Sequence, residues 1–260
     1  MFDFEKPKNP YRKKGKDYNL SENSKLAGAD FAYSNTLASR IYKQMKIIQD
    51  DSAKYESFLR LKKKLYMVIR NDRQHDLGQL KLGYGNINPL KNFRFSPKTS
   101  WQTFFMNYPT ANFDAEKEEL CLSTPPILAR ELDALPERVR KVILKMHIIK
   151  VAIDDENTVD ISSSKELVIV KGDDVKSRSV IFSIKHRPDV LVLCVATVRM
   201  WLLSTDRKDE FMTRNTKYMT AEIFDAILIR DGQICQFEEE TNKESHSPEF
   251  PDSDEEVNWV

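Results

Sequence analysis

The stretch Asp189–Leu203, DVLVLCVATVRMWLL, sets the terms for any fold this chain can adopt. It is the longest run of β-forming residues, and it is apolar on both alternating faces. One face carries Leu191, Leu193, Val195 and Trp201; the other carries Val192, Cys194, Ala196, Val198 and Met200. A strand buried on both sides reads this way, so the rest of a sheet must be built around it and both faces covered. Arg199 and a length well short of the ~20 residues of a spanning helix argue against a membrane span.

With 260 residues, the chain has room for one or two domains and a sizeable core. The net charge of +1 conceals a strong asymmetry. Residues 1–100 hold 21 Lys/Arg against 10 Asp/Glu, whereas residues 233–260 hold 9 acids against Lys243 alone. The two ends must therefore be treated separately in any argument about partners. The first twenty residues lack the apolar region of a secretory signal. Cys121, Cys194 and Cys235 are odd in number and far apart, which suits free or buried thiols in a reducing compartment. A cytoplasmic location is expected.

Residues 1–20 mix Lys6, Lys8, Arg12, Lys13, Lys14 and Lys16 with Pro7, Pro10 and Gly15, and are expected as a flexible basic arm. Over 21–50, Leu26, Phe31, Leu37, Ile41, Met45 and Ile48 mark one helical face, with Ser21 placed to cap it. After Asp50-Asp-Ser52, a second helix carries Phe58, Leu61, Leu65, Val68 and Ile69 on one side and Arg60, Lys62, Lys63 and Lys64 on the remainder. So short a break predicts an antiparallel αα-hairpin over 21–75. Gly78, Gly83 and Gly85, with Asn86, Asn88 and Pro89, predict a linker over 76–90. They match neither a P-loop nor a dinucleotide-binding pattern.

From residue 91 to 232 the pattern is mainly β. Strands are predicted at 92–95, 101–106, 119–123, 139–153, 166–171, 179–185, 190–203 and 222–229, separated by turn signals, with a short helix over 128–135. Seven or eight strands without βα alternation indicate a β-sandwich or barrel. Residues 233–260 are expected to be a disordered acidic tail. The predicted fold class is α+β: a helical hairpin followed by an antiparallel β-sandwich, with charged ends.

Several short motifs occur in an order that resembles a group of small, uncharacterised proteins common in Bacteroidetes-type genomes. They are Gly28-Ala-Asp-Phe31, Arg60-Leu61 with Met67-Val-Ile-Arg-Asn-Asp72, Leu90-Lys-Asn-Phe-Arg-Phe-Ser96, and Leu122-Ser-Thr-Pro-Pro126. The late block Val190–Trp201, Ser204–Asn215 and Tyr218–Ile229 is the nearest likeness. The resemblance covers roughly residues 25–232 and implies a helical hairpin followed by an immunoglobulin-like sandwich, with no established activity or catalytic residues to carry over. Three features depart from the group. A basic arm replaces a Gly-rich β opening, Leu135-Pro-Glu-Arg-Val139 replaces a small-residue segment, and the acidic tail is an addition.

The residues give little support to chemistry. His75, His147, His186 and His246 are scattered without metal-ligand spacing. His147, inside an apolar strand, is expected to be a satisfied core histidine. Asp154-Asp-Glu-Asn157 with Asp160 is the best oxygen-rich loop for calcium, but it lacks the glycine and the final glutamate of an EF-hand. Ser162 and Lys165 have the letters of a Ser-x-x-Lys pair without its accompanying motifs. The aromatics Phe93, Phe95, Trp101, Phe104 and Phe105 are expected to pack in the core, with a ligand platform as the alternative.

No cofactor or metal and no enzymatic activity are expected. The leading expectation is a non-enzymatic structural or protein-interaction module, which assembles through sandwich surfaces and oppositely charged termini, with protein partners or self-association. The alternative is nucleic-acid binding. Candidate contacts for a partner or nucleic acid are Lys13, Lys14, Arg60, Lys62, Lys63 and Lys64. Glu255, Glu256, Trp259 and Val260 form a candidate docking tail.

Overall fold

Ser21 opens the first helix by accepting the Ser24 backbone N–H at 3.3 Å, which satisfies one of the donors a helix start leaves orphaned. In the computed structural model, which describes residues 21–49, 53–153, 158–184, 189–206 and 208–237, α1 spans Glu22–Ile48 and α2 spans Tyr55–Arg70. Phe31 meets Tyr66, Ser34 donates to the Lys62 carbonyl, and Tyr42 meets Phe58. Rising numbers on α1 meet falling numbers on α2, so the hairpin is antiparallel as the short break predicts. Among the described residues no helix is long and apolar enough to cross a membrane.

The remaining elements are β1 (Phe93–Arg94), β2 (Thr110–Asp114), β3 (Glu119–Thr124), α3 (Ala129–Asp133), β4 (Val139–Ala152), β5 (Val159–Ser163) and β6 (Leu167–Val170). After them come β7 (Arg178–Ser183), β8 (Val190–Leu203), β9 (Glu210–Met212), β10 (Met219–Arg230) and β11 (Gln233–Ile234). They form two antiparallel sheets. In the larger, β8 lies between β4, paired from Val139↔Leu202 to Ala152↔Val190, and β10, paired from Met219↔Arg199 to Ile229↔Val190. β5 and β6 line the outer edge of β4, and β1 and β11 line that of β10. The smaller sheet runs β2–β3–β7.

The alternation of β8 divides the core into two. Val190, Val192, Cys194, Ala196, Val198, Met200 and Leu202 pack with Leu120, Leu122 and Phe182 of the smaller sheet. Leu191, Leu193 and Val195 pack with Leu37, Ile41 and Met45 of α1 and Leu61, Leu65 and Val68 of α2. The molecule is layered as helix pair, large sheet and small sheet, and β8 is buried on both faces because each face has a cover. Burying one such Leu or Val contributes about 1.5–3 kcal/mol, so this double contact outweighs any single surface interaction.

Two local outcomes differ from the sequence pattern. Residues 101–106 do not form a strand; Trp101–Thr103 is a 3-10 turn with a reciprocal Ser100/Thr103 cap. Trp101, Phe104 and Phe105 are buried together at helical i, i+3, i+4 spacing, which strand alternation does not allow. Four short strands had no clear sequence signal, namely β2, β5, β9 and β11. They are short and half-exposed or exposed throughout, and tertiary pairing supplies what their alternation does not.

Residues 76–90, which the sequence suggests as a linker, run between α2 and the large sheet. There Leu80, Leu82, Ile87 and Leu90 are buried with the helices. Asp30 of α1 ties the segment down by accepting the Gly78 and Leu80 backbone N–H groups at 2.8 and 3.1 Å. The glycines here serve close approach: a Cβ on Gly85 would run into the Val68 carbonyl of α2. By contrast, Gly28 lies exposed on α1 with open space around it. Gly85→Ala is expected to destabilise the protein by about 1–3 kcal/mol in urea denaturation, while Gly28→Ala adds up to about 1 kcal/mol. Equal effects of the two would contradict the packing of this segment.

Candidate functional site

Helical geometry places Arg60, Lys63, Lys64 and Met67 on one stripe of α2, next to the buried face of Leu61, Leu65 and Val68. That stripe forms one wall of a groove of about 470 Å³, whose other wall is Pro89, Lys91, Asn92, Phe93 and Arg94. The second wall depends on a backbone reversal. Asn92 adopts φ 58°, a left-handed conformation that asparagine tolerates better than most residues, as the chain turns into β1. Phe93 then pairs with Ile223 of β10 and is buried, leaving Lys91 and Arg94 exposed on either side.

Five cationic side chains therefore converge from two elements that are thirty residues apart in sequence. Arg60 is the most constrained. Its guanidinium donates to the Phe95 carbonyl at 3.2 Å and stands 5.4 Å from the Phe93 ring centre. Its Nε is buried without a hydrogen-bond partner. An orphaned buried donor is costly, about 1–3 kcal/mol, so this arginine is held in place against a penalty by its other contacts. Lys91 pairs with Asp225 at 3.0 Å, and Arg94 lies 3.9 Å from Glu222. Among the described residues, Arg60, Lys63 and Lys64 have no carboxylate partner, so the groove keeps a positive excess.

Glu222 anchors this wall from beneath. Fully buried, it accepts the Trp101 backbone N–H at 2.8 Å and the Tyr108 hydroxyl at 3.0 Å. Burial and the adjacent Glu222 charge hold the Tyr108 phenol above its usual range. Arg94 thus has one end at a buried carboxylate network and the other at the groove rim.

The other sequence candidates are distributed as follows. Lys62 is turned away from the groove, with its ammonium over the Phe31 and Phe58 rings at 4.9 and 5.8 Å. Lys13, Lys14, Glu255, Glu256, Trp259 and Val260 lie outside the described residues, as do Asp154–Asn157 of the oxygen-rich loop. Among the described residues, no group of three or more His, Cys, Asp or Glu is placed to hold a metal ion. The five aromatics expected in the core are there: Phe93 and Phe95 on the helix side, Trp101, Phe104 and Phe105 between the sheets. The sequence reading missed Lys91 and Arg94, which join the basic stripe only through β1–β10 pairing.

A second cleft, about 250 Å³, opens where α1 ends over the large sheet, lined by Lys145, His147, Ser163, Thr197 and Arg199 among apolar side chains such as Ile48 and Ile161. His147 is 2% exposed, as expected of a core histidine, and both ring nitrogens are used. Thr197 donates to the Lys145 carbonyl at 3.4 Å, so Nε2–H donates to Thr197 at 3.0 Å and Ser163 donates to Nδ1 at 2.7 Å. The Ser163–His147 pair has the shape of a nucleophile and its base. Burial first, then the Lys145 and Arg199 charges, pushes the imidazole down to about 3, too weakly basic to take a serine proton at neutral pH. Arg199 is committed to the Ile48 carbonyl at the C-terminus of α1 at 3.0 Å.

Comparison with protein-family models and with curated proteins found no match. A crystal structure of a candidate ApaA protein from Bordetella pertussis is similar at 9% identity and a TM-score of 0.23, covering 47% of this chain and 88% of that one. So low a score carries neither fold nor function across.

The depressed His147 fixes the sign of a pH effect. Between its ordinary 6.5 and about 3 the unfolded chain binds a proton that the native state refuses, so stability falls as pH falls through that window. The loss reaches about 1.4 kcal/mol per pH unit from this group. His147→Gln is expected to flatten the denaturation free energy between pH 6 and 4 (about the middle of the window) by one proton. Identical slopes in the two proteins would show that His147 titrates freely.

Proposed function

We propose that this chain is a non-enzymatic protein-interaction module that takes an acidic protein segment along the groove between α2 and β1. The observation that carries the reading is the convergence of Arg60, Lys63 and Lys64 with Lys91 and Arg94 across one groove, the buried Arg60 Nε having no partner. Met67 and Pro89 give the walls an apolar component, which suits a peptide with mixed acidic and apolar residues. The two sheets serve as an immunoglobulin-like scaffold that holds the walls at fixed spacing. Individually, exposed ion pairs contribute only about 0.2–1 kcal/mol. Several acting together steer an acidic partner and make its binding strongly salt-dependent.

Nucleic acid is the second reading for the same charges. Binding of single strands draws on exposed aromatic faces for base stacking. The groove's aromatic, Phe93, is 5% exposed and lies beneath Arg60, which favours a peptide over a base.

The test is a titration of the full chain with fluorescently labelled poly-glutamate and with a single-stranded oligonucleotide of equal charge. Anisotropy would be followed from about 50 to about 200 mM salt. The expected result is salt-sensitive poly-glutamate binding that Lys63→Glu with Lys64→Glu weakens at least about tenfold, or 1.4 kcal/mol. Binding of the oligonucleotide alone would replace the peptide reading, and binding unaffected by the double substitution would remove the groove from it.

A further inference from the structure

The last described residues line a cavity that shares Lys91 with the basic groove, and the sequence beyond them is acidic. β11 turns back from β10, Cys235 donates its N–H to the Leu228 carbonyl at 2.8 Å, and Cys235 and Phe237 pack against the helix-side core. Phe237 lies with Lys91 along one cavity, and Lys91 also lines the groove. The exit point is therefore fixed by apolar contact, with one lysine common to both surfaces. Glu238, Glu239 and Glu240 come next in sequence. Extended chain covers at most about 3.3–3.6 Å per residue, so three residues can span up to about 10 Å.

We propose that Glu238–Glu240 occupies the basic groove of its own chain and competes there with an external acidic segment. The inference rests on the groove reading above and names its resident competitor. The charges match: three carboxylates against Arg60, Lys63 and Lys64, the groove cations with no carboxylate partner among the described residues. Attachment at Phe237 gives the tail a local concentration on the order of millimolar, as short tethers do. A weak tail contact is then enough to reduce apparent affinity for a partner about tenfold, because the partner must displace it. The contact is electrostatic and exposed, so added salt releases it. The groove thus responds best to partners with more negative charge, or more apolar contact, than the tail itself presents.

The experiment keeps the chain at full length and replaces Glu238, Glu239 and Glu240 with Gln. Labelled poly-glutamate is titrated into wild type, into this variant, and into both with Lys63→Glu and Lys64→Glu added. The tail-neutralised chain is expected to bind about tenfold more tightly than wild type at low salt. The difference should shrink as salt rises and vanish when the groove lysines are reversed. Equal binding by wild type and the tail-neutralised chain overturns the tail contact and leaves the groove reading standing. Absence of binding by either overturns the groove reading itself. A gain that persists with reversed lysines puts the tail on another surface and overturns the proposal, as does a mass that rises with concentration in light scattering, which would mark exchange between copies.

Discussion

The structure depends on one strand being covered twice. β8 lies between β4 and β10 through nearly its whole length, so its backbone donors and acceptors are satisfied on both edges. Its side chains then require apolar cover on both faces, which the small sheet and the helix pair supply from opposite sides. Neither cover could be removed without exposing a row of Val and Leu, a cost of several kcal/mol. The helices thus share a core with one face of the large sheet, and the segment that joins them to it, with Leu82 and Leu90 buried, is packed accordingly.

The groove is a consequence of that docking. Once the Leu61, Leu65 and Val68 face of α2 is committed to the large sheet, the neighbouring stripe of Arg60, Lys63 and Lys64 must face the edge where β1 adds to β10. Arg60 joins the two walls, bonding the carbonyl of Phe95 and lying over Phe93. Glu222 reinforces the second wall from the core and keeps Arg94 near. A surface feature built on buried contacts of this kind has its charges pre-positioned, which would lower the entropy cost of binding the acidic segment we propose.

Much of the fold was legible in the residues. The two-faced alternation of 190–203 implied a central strand, and the 3.6-residue apolar spacing of 21–48 and 55–70 implied the hairpin. The turn at Trp101 was misread because aromatic content was weighed above the i, i+3, i+4 spacing of Trp101, Phe104 and Phe105. The edge strands β2, β5, β9 and β11 were hidden because half-exposed edges need no apolar alternation. The groove was half legible: Arg60, Lys63 and Lys64 stood out as a basic run, but Lys62 belongs to another face, one helical step around. Lys91 and Arg94 could not be assigned from sequence, since only long-range strand pairing brings them opposite α2.

The most direct measurement of the central claim is amine-reactive labelling of lysines, read by mass spectrometry, on the chain carrying Gln at 238–240, with and without saturating poly-glutamate. The groove account predicts slowed labelling of Lys63, Lys64 and Lys91. Lys62 over its aromatic rings, and Lys117 paired with Asp114 at 3.1 Å on a distant turn, should react as before. Uniform slowing of all five, or protection that spares Lys91 while covering Lys62, would contradict a binding groove between α2 and β1.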